Sequence, residues 1–140
     1  MLEMKNISKI FNAGTVNEKV ALDRLSLTLE DGDFVTVIGG NGAGKSTMLN
    51  AVAGVFPIDA GQILIDGTDI TRLPEHKRAA FIGRVFQDPM TGTAADMWIE
   101  ENMALAYRRG KRRGLRWAIT AKDRARYREM LKELELGLED

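Results

Sequence analysis

Apolar and polar positions alternate along LEMKNISKIF (2–11) and again through RLSLTLEDGDFVTVIGG (24–40), which predicts strands with Asp31-Gly32 as a tight turn between two of them. Phe34-Val35-Thr36-Val37-Ile38 is apolar or β-branched at every position, the pattern of a strand covered on both faces. Gly39 to Gly44 breaks that run. From Lys45 the period lengthens, with Met48, Leu49, Val52 and Ala53 recurring at helical spacing and Gly54 as the stop. The order is therefore strand, glycine loop, helix. GQILIDGTDI (61–70) then reads as a short strand and an Asp66-Gly67 turn, PEHKRAA (74–80) as a short helical piece, and FIGRVF (81–86) as a strand that ends at Gln87. QDPMTGTA (87–94) is a loop. DMWIEENMALAYRR (96–109) is helical, with Ile99, Met103 and Ala106 as its stripe. A last helix opens on a Thr120–Asp123 capping box, puts Tyr127, Met130, Leu131 and Leu134 on one face, and has Gly137 as its C-terminal cap.

Composition narrows the chemistry. The 140 residues are 44% apolar and 29% charged, as in an ordinary globular chain. Without cysteine, disulfides, thiolate metal sites and cysteine nucleophiles are excluded. Formal net charge is zero, so no nucleic-acid partner is expected. The charge is uneven, however: YRRGKRRGLRW (107–117) carries Arg108, Arg109, Lys111, Arg112, Arg113 and Arg116 with no acid, while KELELGLED (132–140) is acidic. The basic run reads as a solvated helix connection, as a contact with anionic lipid headgroups, or, least well, as a nucleic-acid contact. No signal-peptide core and no apolar run of about 20 residues is present, so a cytoplasmic chain is expected.

The chemistry concentrates in residues 39–46, Gly39-Gly40-Asn41-Gly42-Ala43-Gly44-Lys45-Ser46, which match G-x-x-x-x-G-K-[ST] between a strand and a helix. A triphosphate is a dense anion, and such a loop wraps it with inward-pointing N–H groups at a helix N-terminus. Lys45 would reach the β- and γ-phosphates, Ser46 would place its hydroxyl on Mg²⁺, and Thr47 would face the α-phosphate. Two imitations are set aside. Ile63-Leu64-Ile65-Asp66 outlines an apolar strand ending in a metal-binding acid, but Gly67 makes it a hairpin. His76, the single histidine, lies in a polar helical piece and reads as a surface residue.

GGNGAGKST resembles the Walker A motif of ATP-binding-cassette (ABC) ATPases, and the likeness runs on through LDRLSLTLEDGDFVTVIGGNGAGKSTMLNAVAGVFPIDAGQILIDGTDIT and RVFQDP, which is similar to the family's Q-loop. The resemblance covers essentially the whole chain. It implies an α/β P-loop NTPase fold of the ABC-ATPase type with an N-terminal antiparallel β part and the start of a helical subdomain. Residues 1–140 are then the N-terminal part of one ABC ATPase domain, with about 1–89 as β/P-loop core and about 90–140 as helical subdomain. By position it implies that Phe11 stacks on adenine and that Gln87 contacts Mg²⁺ and the attacking water. ATP and Mg²⁺ are the implied cofactors. The implied partners are transmembrane permease subunits, a second copy in a head-to-tail dimer and an extracytoplasmic substrate-binding protein, with the ATPase on the inner face of the cell membrane and Met90 to Glu101 as the docking surface.

The family's signature motif, Walker B carboxylates and switch histidine are not among these residues, so the chain is expected to bind nucleotide and hardly hydrolyse it. Its strand at 34–38 is expected to expose an apolar edge. Two other readings remain: a soluble ABC-type ATPase acting on nucleic acid or the ribosome, and a small P-loop metabolite kinase using arginines 108–116 as a lid.

Overall fold

The computed structural model describes residues 1–111 and 119–138, in two compact units, 1–82 and 83–140. The arginine-rich run lies partly outside the described residues, from Arg112 to Trp117.

The first unit contains β1 (Leu2–Phe11), β2 (Lys19–Leu29), α1 (Lys45–Ala53), β3 (Ala60–Ile65), β4 (Thr68–Asp69) and α2 (Glu75–Arg78). The four strands form one antiparallel sheet in the order β2-β1-β3-β4. The register sets Met4 opposite both Leu27 and Ile63, so one sheet face is apolar across three strands. Met4, Ile7, Leu22 and Ile63 from that sheet pack with Met48 and Ala51 of α1 and with Ile70 to make the core. The β1–β2 ladder shifts register where Asn6 and Arg24 take φ of 50° and 45°. There, hydroxyl oxygens replace ladder carbonyls: Asn6 N–H donates to Ser26 Oγ at 2.9 Å, and Arg24 N–H donates to Ser8 Oγ at 3.0 Å. Asp66 and Gly67 both have positive φ, 48° and 73°, as the expected β3–β4 hairpin requires.

Two stretches that the apolar pattern predicts as strands are not strands. Phe34–Ile38 and Phe81–Phe86 join no ladder among the described residues, and Phe34, Ile38 and Val85 are 94%, 88% and 98% exposed. A strand is stabilised by hydrogen-bonded neighbours, and neither stretch has a ladder partner here, although Ile82 packs against the core. Leu49, expected on the buried stripe of α1, is exposed for a related reason: Met48, Ala51 and Ala53 face the sheet, and Leu49 points off it.

What closes the helix end of the core is a buried cation. Arg78 of α2 is 2% exposed and donates to four main-chain carbonyls: Nε to Leu73 at 2.7 Å, one terminal nitrogen to Ala51 and Val52 at 2.7 and 2.9 Å, and the other to Thr71 at 2.7 Å. Ala51 and Val52 carry last-turn carbonyls of α1, the negative end of its dipole. Burial pushes the guanidinium pKa down, with Asp69 opposing, yet arginine stays charged at any ordinary pH. Gly54 caps the same helix at φ 84°, and a Cβ there would lie 2.7 Å from Arg78 Nε, so only glycine admits the arginine.

The second unit has a 3₁₀ turn at Pro89–Gly92, α3 (Ile99–Tyr107) and α4 (Ala121–Lys132). Asp88 caps the turn, accepting from Met90 N–H at 2.9 Å. Asn102 clamps the loop before α3: its Nδ2 donates to the carbonyls of Ala94, Met97 and Trp98, and its Oδ1 accepts from Ala94 N–H at 2.8 Å. The Thr120–Asp123 capping box is present in both directions, Thr120 N–H to Asp123 at 2.9 Å and Asp123 N–H to Thr120 Oγ1 at 3.3 Å. Arg124 of α4 forks onto Glu100 of α3 at 2.7 and 3.2 Å. The expected apolar stripes are only partly buried. Ala104, not Ile99 or Ala106, is the buried residue of α3; Tyr127 is buried on α4, while Met130 and Leu134 are about half exposed. α4 ends at Lys132 with Glu133 as its cap, so Gly137 lies in the turns beyond and is not the cap.

Candidate functional site

The site begins at the break between residue 38 and α1. Gly44 is the residue before the helix, at φ 89°, and a Cβ on it would sit 2.7 Å from the Ala21 carbonyl of β2, so the loop can lie against the sheet only with glycine there. No side chain caps the N-terminus of α1. Its first-turn N–H groups, from Lys45, Ser46 and Thr47, therefore keep their donors and the positive end of the helix dipole for an anion. Lys45 folds back over the loop: its ammonium donates to the carbonyls of Gly39 at 2.6 Å and Gly40 at 2.8 Å. An ammonium has three N–H groups, so one remains to meet a phosphate oxygen. Asn41, Gly42 and Ala43 form the exposed rim, Ser46 is exposed on the first turn, and Thr47 is half-buried.

The sheet adds groups beside this loop. Phe11 ends β1, with its ring edge-on to Phe56 at 5.2 Å between centroids. Lys9 Nζ lies 5.5 Å and 5.7 Å from the two ring centroids and is held at 3.0 Å by Asp59. Asp59 also accepts from Ile10 N–H at 2.6 Å, and that bond, then the lysine, holds its carboxyl below the usual carboxylate range. The register sets Phe11 opposite Lys19 in β2, and Lys19 Nζ comes within 3.8 Å of where a Gly42 Cβ would stand. Lys19 is thus a second cation at the rim of the loop. Nothing in the sequence marks it, because only strand pairing brings a lysine 23 positions upstream to Gly42. A cleft of about 270 Å³ adjoins the loop at Ala43 to Lys45 and runs along Leu22, Val37, Ile38 and Met48.

Gln87 sits in the second unit, exposed in the bend before the 3₁₀ turn. His76 is exposed on α2, and Asp66 belongs to the hairpin turn, where the sequence reading puts both. Among the described residues no group of three or more acids or histidines could hold a metal. A divalent ion at this loop could take the Ser46 hydroxyl together with oxygens of the nucleotide itself, which suits Mg²⁺, a hard ion bound largely through phosphate oxygens and water.

A glycine loop held by its own lysine at an uncapped helix N-terminus is a geometry suited to a dense anion. The family model described as ABC transporter matches residues 22–140. The chain belongs to the ABC transporter family. It is 46% identical over 111 residues to the tyrosine transport ATP-binding protein of Clostridioides difficile (strain R20291), covering 79% of this chain and 44% of that one. It is 36% identical to the spermidine/putrescine import ATP-binding protein PotA of Haemophilus influenzae (strain ATCC 51907 / DSM 11121 / KW20 / Rd), over 79% of this chain and 27% of the relative. Among solved structures it superposes on a dimeric ATP-binding cassette in a post-hydrolysis state bound to ADP and Pi, with a TM-score of 0.75 and 28% identity over 97% of this chain and 58% of that one. The chain thus spans less than half the length of these curated relatives. The fold is that of an ABC ATPase cassette, here an antiparallel sheet together with helices. Among the described residues no helix is long and apolar enough to cross a membrane.

Proposed function

We propose that residues 39–47 bind the phosphates of ATP with Mg²⁺, and that the whole protein hydrolyses ATP to drive import through a partner permease. The observation that carries this reading is Lys45 held over its own glycine loop at an uncapped helix N-terminus. In the proposed site the N–H groups of 42–47 wrap the β-phosphate, Lys45 turns its remaining N–H to the β- and γ-phosphate oxygens, and Phe11 offers its ring to adenine. Ser46 and Gln87 are assigned as Mg²⁺ ligands. The ion, when bound, neutralises charge on the phosphates; the chain's own residues bind and orient them. Gln87 positions water and, as the head of the 87–94 loop, passes the state of the site to the membrane partner.

Residues 1–89 are assigned as β/P-loop core and 90–140 as the start of the helical subdomain. Phosphoryl transfer depends on positioning and charge stabilisation, and the acid and base that complete them are assigned to segments outside 1–140. These residues alone should bind nucleotide and turn it over little. Names of relatives that include import support that direction. The proposed partners are permease subunits, a second ATPase subunit packed head to tail and an extracytoplasmic binding protein, with the ATPase on the inner face of the cell membrane. The test is fluorescent-ATP binding and phosphate release by the full-length protein. Lys45→Ala should lose on the order of a hundredfold or more in hydrolysis, the scale of losing a preorganised charge at the transferred phosphoryl group; unchanged turnover would overturn the reading.

A further inference from the structure

The second unit gathers positive charge between Tyr107 and Lys132, and no step of nucleotide chemistry uses it. From Tyr107 to Lys111 and from Ile119 to Lys132 the described residues include eight cations, Arg108, Arg109, Lys111, Lys122, Arg124, Arg126, Arg128 and Lys132, against two acids, Asp123 and Glu129. Both acids have local work: Asp123 caps α4 and Glu129 pairs with Lys132 at 3.2 Å. The whole chain is neutral, so this excess of positive charge is matched by an excess of negative charge elsewhere along it.

Folding concentrates the charge further. Lys111, beyond the end of α3, and Arg126, in the middle of α4, both lie on the ring of Tyr107, with Nζ at 3.5 Å and Cζ at 4.4 Å from its centroid. Two segments fifteen residues apart in sequence thus hold their cations within about 8 Å of each other, about one Debye length at physiological salt. Like charges so close repel unless an anion comes between them. Lys122 lies one turn before Arg126 on the same side of α4, and Arg109 precedes Lys111; all four are exposed. The same pair of cations lowers the Tyr107 hydroxyl pKa, Arg126 by hydrogen bonding first.

We propose that this face, Arg109, Lys111, Lys122 and Arg126 around the amphipathic ring of Tyr107, docks on an anionic phospholipid surface. The proposal rests on the reading of the chain as a transporter ATPase, which places it beside a bilayer. A planar surface meets only this face. A nucleic acid long enough to engage other faces would meet the compensating acids, and zero net charge gives it no general attraction. An aromatic with a polar tip among long-stemmed cations also matches what headgroup regions retain.

The test is co-sedimentation of the full-length protein with phosphatidylcholine vesicles, with and without phosphatidylserine. Binding should require phosphatidylserine and fall away at high salt. Each cation near such a surface contributes roughly fivefold, so Arg109→Gln, Lys111→Gln, Lys122→Gln and Arg126→Gln together should weaken partitioning on the order of several hundredfold. The charge-preserving pair Lys111→Arg and Arg126→Lys should bind like wild type, which separates charge loss from misfolding. ATP binding, measured on the same samples, should be unchanged in every variant. Binding of ATP with no preference for phosphatidylserine would overturn the lipid proposal alone. Failure to bind ATP would overturn the underlying reading instead. Tighter binding to an oligonucleotide than to charged vesicles would overturn the proposal in favour of nucleic acid.

Discussion

Two apolar stretches of the first unit have opposite fates. β3 and the segment after it bury Ile63 and Ile70 completely, whereas Phe34 and Ile38, in a run at least as apolar, are 94% and 88% exposed. The difference lies in what surrounds each. Ile63 has β1 and β4 on its two sides, and its N–H and carbonyl both meet Thr71 Oγ1, at 2.9 and 3.5 Å. Phe34–Ile38 has an open cleft along Val37 and Ile38. Apolar, β-branched residues fit a covered pleat; they do not create one. The site exploits the contrast. Its loop hangs from the uncovered stretch on one side and is anchored by the sealed helix α1 on the other.

Unsealing α1 should have the largest effect. Arg78→Met leaves main-chain carbonyls of Ala51, Val52, Thr71 and Leu73 without the guanidinium that now meets them all. Buried acceptors stripped of a charged donor cost about 1–3 kcal/mol each before relaxation, so a loss of about 3–5 kcal/mol is expected. Urea unfolding should show it as a lower midpoint, and a midpoint within error of wild type would mean the carbonyls find other donors. Because α1 carries Lys45, ATP binding should weaken as well.

Next in size is a paired truncation in the chain of residues 1–140. Ile63→Ala should cost about 2–5 kcal/mol, the usual range for a filled core position. Ile38→Ala should stay within about 0.5 kcal/mol there, because an exposed side chain has little packing to lose. Ile38→Ser should raise solubility by interrupting an exposed apolar run. Equal losses at the two positions, read from urea midpoints, would show that the 34–38 run is packed in solution.

Much of this architecture can be read from residues whose conformational demands are local. Asp66-Gly67 needs positive φ at both positions and so declares its hairpin; Thr120 and Asp123 satisfy each other across one turn; the glycines and lysine of 39–45 carry their own geometry. Arg78 is the counterexample. In PEHKRAA it sits among polar neighbours and looks solvated, and its acceptors come from 5 to 27 residues away, so only the folded chain reveals a buried cation. Lys19 is hidden in the same way, since pairing of β1 with β2 delivers it to the loop. The 34–38 strand fails for a third reason. Pattern reports what a segment suits, and a ladder needs a neighbour that this part of the chain does not supply.

Gly54→Ala probes the same helix end more gently than removing Arg78. Alanine at φ 84° costs about 1–2 kcal/mol in backbone strain alone, and its Cβ would press on Arg78 Nε at 2.7 Å. Combined with Arg78→Met, the clash disappears. The double variant should therefore lose less than the two single losses added together, and strict additivity would show that the close approach carries no energy.

The smallest effect belongs to Asp59, which ties the end of β1 and the cation beside Phe11 to the turn before β3. Its carboxyl is held below the usual range by Ile10 N–H first and by Lys9 second, so the folded state binds its proton less readily than the unfolded chain. The contribution of Asp59 is therefore present above the ordinary carboxylate value near 4 and is lost as pH falls through the lower folded value. Wild type should thus lose stability faster than Asp59→Asn on acidification below about pH 4, while at neutral pH the variant is the less stable. Urea midpoints across that range check it, and parallel pH profiles would mean the carboxylate adds nothing at the end of β1. Because Asp59 is well exposed, solvent screening keeps the effect small. Lys9 and Phe11 would then keep their places by the rings alone, with Phe56 rather than the acid setting where the strand presents its aromatic.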